Sequence, residues 1–290
     1  MASVKATTLG SLAIKETLKR AKVEPAEVQE VYFGQVLQAG SGQAPARQAA
    51  LGANIPKSVI CTTVNKVCAS GMKSIMIGAQ SIECGHNDVV VAGGMESMSQ
   101  VPRYSNRFTN AYGNVTLDDG ILLDGLTDAY DKIHMGVCAE NTCKKHGVTR
   151  EDQDKYAISS YKLSNKAADA GLLAREIVTV EVTGKRSTDP VRLVSEDEEF
   201  KKIDMDRIPK LRPAFDKTSG TVTAANASTL NDGAAATLLM SSGAVEKFKL
   251  EPMAQIVAYA DAACDPIDFP IAPALSIPRV SIRLDVCPCG

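Results

Sequence analysis

Cys68 lies in the stretch Asn65-Lys66-Val67-Cys68-Ala69-Ser70-Gly71-Met72-Lys73, where a β-branched run gives way to small residues at helical spacing. Residues 58–64 have strand length and strand composition, and residues 69–84 carry small and apolar side chains with a helical period. The spacing predicts a strand, a turn, and a helix headed by Cys68. Amides at a helix start lack intrahelical acceptors and carry partial positive charge, which lowers a thiol's pKa and stabilises a developing oxyanion. Both effects favour acyl transfer through sulfur. Taken alone, a cysteine in such a run is equally a small buried hydrophobe, so its surroundings must decide.

Other residue types narrow the chemistry. The three histidines, His86, His134 and His146, are far apart in sequence, and Cys287-Pro288-Cys289 is too short and too terminal for a metal framework, so no structural zinc is expected. Eight scattered cysteines in 290 residues fit free thiols in a reducing compartment better than a secreted disulfide scaffold. A net charge of −2 gives no long-range attraction for nucleic acid or an anionic membrane, and no apolar run has the length of a membrane span. Neither nucleic acid nor membrane is an expected partner. The first eight residues are mildly basic and too short for a secretory signal or a complete transit peptide.

The elements that must position Cys68 read as a repeating β-α-β order. Residues 9–21 have helical apolar spacing, 31–37 read as a strand, 43–51 as a helix, and 89–92 as a strand after the Cys68 helix. That order implies an α/β fold with a largely parallel sheet and crossover helices. Between residues 100 and 220 the pattern loosens, with a helix around 138–145 and a longer one after Thr149. There Thr149-Arg150-Glu151-Asp152 has the form of a helix cap with acids in the first turn. Residues 176–182 alternate as a half-exposed strand, residues 195–202 form a charge cluster, 233–240 read as a buried strand, and 256–260 as one more strand.

Several ordered segments point further. Gly42-Gln43-Ala44-Pro45-Ala46-Arg47-Gln48, Ala92-Gly93-Gly94-Met95-Glu96-Ser97-Met98-Ser99, Ile133-His134-Met135-Gly136 and Thr223-Ala224-Ala225-Asn226-Ala227-Ser228 accompany the Cys68 segment in one order. Together they resemble the thiolases, over residues 9–273, and the wording around Cys68 and Asn226 is closest to the mitochondrial branch that handles acetoacetyl-CoA. The resemblance implies a thiolase-like fold with a mixed, mostly parallel sheet. It divides the chain into an N-terminal half (1–99 and 219–250), an inserted loop domain that binds coenzyme A (100–218), the start of a C-terminal half (251–273) and a divergent tail (274–290). Beyond Pro273 the chain does not look like the helix that the family places there.

The resemblance further implies reversible condensation of two acetyl-CoA into acetoacetyl-CoA and CoA, with Cys68 as the acylated nucleophile. Coenzyme A, a substrate and product rather than a tightly bound cofactor, is expected at Tyr161, Lys202, Ile203, Asp204, Arg207 and Ser228, with His134 and Met135 at the acyl end. Tyr161 with the carbonyls of Ala224, Ala225 and Ala227 matches a potassium site, since carbonyl oxygen suits a hard cation. Family members are homodimers or homotetramers, placed in the mitochondrial matrix, with the cytoplasm as the alternative. The family's G-H-P, N-E-A-F and C-x-G-G-G motifs do not occur in these 290 residues. An isolated polypeptide without them is expected to be inactive in condensation. A non-catalytic chain that binds CoA or full-length subunits is the alternative, and the exposed sheet edges and apolar face expected of most of the C-terminal half being absent would favour association.

Overall fold

The computed structural model describes all residues except 106, 109–111, 185, 187–188 and 284–290. In chain order the helices are α1 (Ala6–Ala21), α2 (Pro45–Gly52), α3 (Ser70–Glu83), α4 (Met135–His146), α5 (Arg150–Asp169), α6 (Ser242–Phe248) and α7 (Ala272–Arg283). The strands are β1 (Glu30–Gly34), β2 (Ile60–Val64), β3 (Val89–Ser97), β4 (Arg103–Tyr104), β5 (Asp118–Asp119), β6 (Val180–Val182), β7 (Arg192–Val194) and β8 (Asp232–Met240). Two compact units result. One comprises residues 1–125, 178–194 and 230–256, and the other 126–177, 195–229 and 257–290. These limits cross the sequence-based boundary at residue 100, because the β6–β7 hairpin and residues 100–125 cluster with the first unit.

The first unit is built on a four-stranded sheet in the order β2-β1-β3-β8. β1 runs parallel to both β2 and β3, while β8 is antiparallel to β3, so the sheet is mixed and mostly parallel. α1 and α2 cover it through a core that includes Ile14, Leu18, Val31, Phe33, Ala49 and Val91. Continuous apolar runs such as Val89-Val90-Val91-Ala92, all buried, are what a strand covered on both faces requires. β1 ends at Gly34 rather than at the expected residue 37, because the amides of Val36 and Leu37 donate to the Glu96 carboxylate at 3.0 and 3.2 Å instead of to a ladder.

Two strand expectations are corrected. β8 forms, but it is a partly exposed edge strand and not a buried one, since among the described residues only β3 pairs with it. Residues 256–260 are irregular, with Val257 68% exposed; an apolar run becomes a strand only where another strand offers ladder partners. The expected strand at 176–182 shortens to β6, paired with β7.

In the second unit, α5 carries the cap that its sequence announces. The Thr149 hydroxyl accepts from the Asp152 amide at 3.1 Å while the Asp152 carboxylate accepts from the Thr149 amide at 3.1 Å. Arg150 binds Asp154 at 2.8 Å and donates to the carbonyls of Ile208 and Leu211, both at 3.0 Å. Residues 272–283 are helical even though Pro278 lies within them. Cys287 and Cys289 lie outside the described residues. Among the described residues no helix is long and apolar enough to cross a membrane.

Candidate active site

Cys68 stands in the turn between β2 and α3, exposed, two residues before the first helical residue Ser70. The turn is tight. Val67 adopts a left-handed φ of 47°, rare for a β-branched residue. Its amide donates to the Asn65 carboxamide oxygen at 3.0 Å, and the Ala69 amide donates back to the Lys66 carbonyl at 3.1 Å. The Gly71 and Met72 amides meet no acceptor among the described residues, so the start of α3, a few residues past Cys68 in the chain, offers free donors.

The sheet holds this helix start at close range. A Cβ on Gly34 would lie 2.6 Å from the Ser70 carbonyl carbon and 2.7 Å from the Gly71 nitrogen, so only glycine lets α3 begin directly over β1. Gly93, on the neighbouring β3, instead makes room for β8, since a Cβ there would approach the Ala235 carbonyl oxygen to 2.1 Å. The other described cysteines are placed differently. Burial pushes the Cys61 thiol up, offset in part by Arg47, and burial likewise pushes up Cys138, which is 2% exposed. Cys84 is exposed too, but at the carbonyl end of α3, where the helix presents negative partial charge.

The remaining candidates belong to the second unit. His134 caps α4: its Nδ1 accepts from the Gly136 amide at 3.0 Å, which places the ring proton on Nε2. The ring stacks on Phe215 with centroids 4.8 Å apart, and Phe215 fits only because residue 136 lacks a Cβ. Met135 is half-buried at the first position of the helix. Tyr161, on α5, donates its hydroxyl to the Ala225 carbonyl at 3.4 Å, and burial followed by the charge of Glu199 pushes its phenol up. No hydrogen bond joins Tyr161 to Ala224 or Ala227 among the described residues.

Asn226 shapes the loop that carries those alanines. It accepts from the Thr223 amide at 2.7 Å and donates to Asp154 and to the Thr221 carbonyl, both at 3.0 Å. Glu140 anchors the loop's start through the Thr221 and Val222 amides at 2.9 Å. Ser228 is exposed on this loop. Lys202, Asp204 and Arg207 are exposed and Ile203 half-buried along one segment, where Asp204 caps the short helix Met205–Lys210 and Lys202 pairs with Glu198 at 2.9 Å. Lys201 pairs with Glu196, so Glu196 and Glu198 of the charge cluster are each partnered by a lysine that follows them.

Residues missed in the sequence are those that brace the motifs: Asn65, Ser70, Glu140, Arg150 and Asp154. Their signal was faint, because each is an ordinary polar residue whose partner is set by the fold. The motifs themselves prove largely architectural. Arg47 donates to the carbonyls of Lys57 and Val59, Glu96 closes the end of β1, and Ser99 binds Asp232.

Residues 1–243 match the family described as thiolase, N-terminal domain. The chain belongs to the thiolase family. This thiolase chain is 57% identical over 282 residues to the mitochondrial acetyl-CoA acetyltransferase of Rattus norvegicus, covering 97% of itself and 66% of that protein. It is 57% identical over 275 residues to the Homo sapiens mitochondrial acetyl-CoA acetyltransferase, covering 95% of itself and 64% of that protein. The thiolase chain thus spans about two thirds of the length of these curated relatives. Its fold matches the crystal structure of the Acat5 thiolase from Ascaris suum in complex with coenzyme A, with a TM-score of 0.92 and 43% identity over 98% of this chain and 72% of that one. At such coverage the likeness runs on past Pro273, which corrects the limit drawn from the motifs.

Proposed function

We propose that this thiolase chain contributes the nucleophile for reversible conversion of two acetyl-CoA into acetoacetyl-CoA and CoA. The observation that carries this reading is the exposed Cys68 at a braced strand-to-helix turn that leads into a helix start with free amides. In the first half-reaction the Cys68 sulfur attacks the thioester carbonyl of acetyl-CoA, the carbon–sulfur bond to CoA breaks, and CoA leaves with the proton. In the second, the α-carbon of another acetyl-CoA, having lost a proton, attacks the acetyl-Cys68 carbonyl and releases acetoacetyl-CoA with the Cys68 thiol restored.

Coenzyme A is assigned to Tyr161, Lys202, Ile203, Asp204, Arg207 and Ser228, and the acyl end to His134 and Met135. Arg207 and Ser228 are exposed where phosphate and polar groups can reach them, and Lys202 is exposed too, so its pairing with Glu198 would be exchanged for phosphate. The phenol oxygen of Tyr161 and the carbonyl oxygen of Ala225 are hard donors at a spacing two ligands of one cation can share, so a potassium ion fits there, with Ala224 and Ala227 as further carbonyls. Such an ion would fix the loop that bears Ser228. The names of the mitochondrial relatives support a place in the mitochondrial matrix and none supports a cytoplasmic one; assembly as a homodimer or homotetramer is part of the same reading.

The 290-residue polypeptide carries no G-H-P histidine, N-E-A-F asparagine or C-x-G-G-G cysteine. General acid–base catalysis is worth about 10²–10⁴-fold, so this polypeptide by itself is expected to acylate slowly and not to complete the cycle. In a second reading the same 290 residues bind CoA or full-length subunits without turnover. Incubation with acetoacetyl-CoA and CoA, following loss of the enolate absorbance against Cys68→Ser, tests both. A Cys68-dependent signal supports the first reading, and equal traces leave the second.

A further inference from the structure

We infer that Ser70 is the positioning residue of the Cys68 turn, an inference that rests on Cys68 being the acylated nucleophile. Ser70 is 4% exposed, yet its hydroxyl is used entirely within the segment that carries the sulfur. It accepts from the Lys66 amide at 2.8 Å and donates to the Val67 carbonyl. The Ser70 amide donates to that same carbonyl at 3.0 Å.

These bonds bracket the one backbone anomaly of the site. Val67, at a φ of 47°, prefers the right-handed or extended regions, and a left-handed β-branched residue persists only where its surroundings over-determine it. Val67 is 44% exposed, so packing of its side chain does not hold it there. What holds it is the set of bonds on either side: Asn65 on its amide, Ser70 on its carbonyl and on the amide before it. Ser70 is itself pinned by Gly34 beneath it and by the Ser74 hydroxyl, which donates to its carbonyl at 2.9 Å. The sheet therefore fixes Ser70, Ser70 fixes the left-handed turn, and the turn presents Cys68 at the amide end of α3. Ser70 itself takes no part in the bond changes at sulfur.

The test follows acetylation of the full 290-residue chain by acetyl-CoA, with peptide mass spectrometry reading Cys68 and Cys84 separately. In the unaltered chain Cys68 is expected to acetylate faster than Cys84. Ser70→Ala is expected to slow Cys68 about tenfold, since small misplacements of a reacting group cost up to about 10²-fold, and to leave Cys84 unchanged. Adding Val67→Gly to Ser70→Ala removes the strain that Ser70 offsets and is expected to restore Cys68 to within about twofold, a coupling that a double-mutant cycle isolates. A purely structural serine would show no such rescue. Equal rates at Cys68 and Cys84 in the unaltered chain would overturn the nucleophile reading and this inference with it. A selective unaltered chain with Ser70→Ala at the same rate, without rescue, or with Cys84 slowed in parallel would overturn the role of Ser70 alone.

Discussion

Glycine at position 34 shows how one missing carbon sets the site. Any Cβ there would fall within bonding-clash distance of the backbone at Ser70 and Gly71, and backbone cannot swing aside as a side chain can. Gly34→Ala is therefore expected to destabilise the first unit by about 1–3 kcal/mol, the usual cost of overpacking, and to slow Cys68 acetylation by lifting α3 off β1. Urea denaturation and the acetylation rate read the two effects, and an unchanged midpoint would refute the close-packing argument. Gly71→Ala is the control, because a Cβ there meets nothing nearer than 3.7 Å. It should leave the free energy of unfolding within about 1 kcal/mol, the helix-interior preference running in favour of alanine.

At the scale of elements, the start of α5 carries an acid-sensitive contact. The Thr149 hydroxyl first, and the Thr149 amide second, hold the Asp152 carboxyl below its ordinary value of 3.8. A carboxyl depressed on folding stabilises the folded form above its unfolded value and loses that contribution as pH falls through the lower, folded one. Amide exchange in the first turn of α5 should therefore accelerate only below pH 3.8, and Thr149→Ala should remove that step. Loss of such a cap costs about 1 kcal/mol. An acid step that survives Thr149→Ala would place its origin elsewhere. The same element brings Asp154, paired with Arg150, to Asn226, so Asp154→Ala should loosen that loop and weaken CoA binding without altering Cys68 acetylation; calorimetric titration with CoA reads the loss of binding.

At the scale of the whole molecule, the sheet of the first unit ends in two unlike edges. Among the described residues β2 is parallel-paired on one side only and shows Ile60 at 63% exposure, while β8 is paired only with β3. Unpaired edges with apolar side chains template association, and a charge on the edge suppresses it. Ile60→Lys should lower the weight-average mass seen by sedimentation at micromolar concentration and leave thermal unfolding nearly unchanged. A chain already monomeric before the substitution would refute this account of the β2 edge.

Local chemistry was legible in the sequence and long-range partnership was not. The strand-turn-helix around Cys68, the α/β order and the Thr149 cap all depend on residues within a few positions of one another, so spacing alone reveals them. The buried rank expected of β8, the strand expected at 256–260 and the end of β1 depended on neighbours far along the chain, such as the Glu96 carboxylate that claims the amides of Val36 and Leu37. Tyr161 and Ala225 were named together by family likeness, but only the packing of α5 brings hydroxyl to carbonyl. By itself the sequence determined which atom is the nucleophile candidate and what kind of element presents it. Tertiary structure decided how the turn is held, because Gly34 and Ser70 act through contacts that exist only once β1 lies beneath α3.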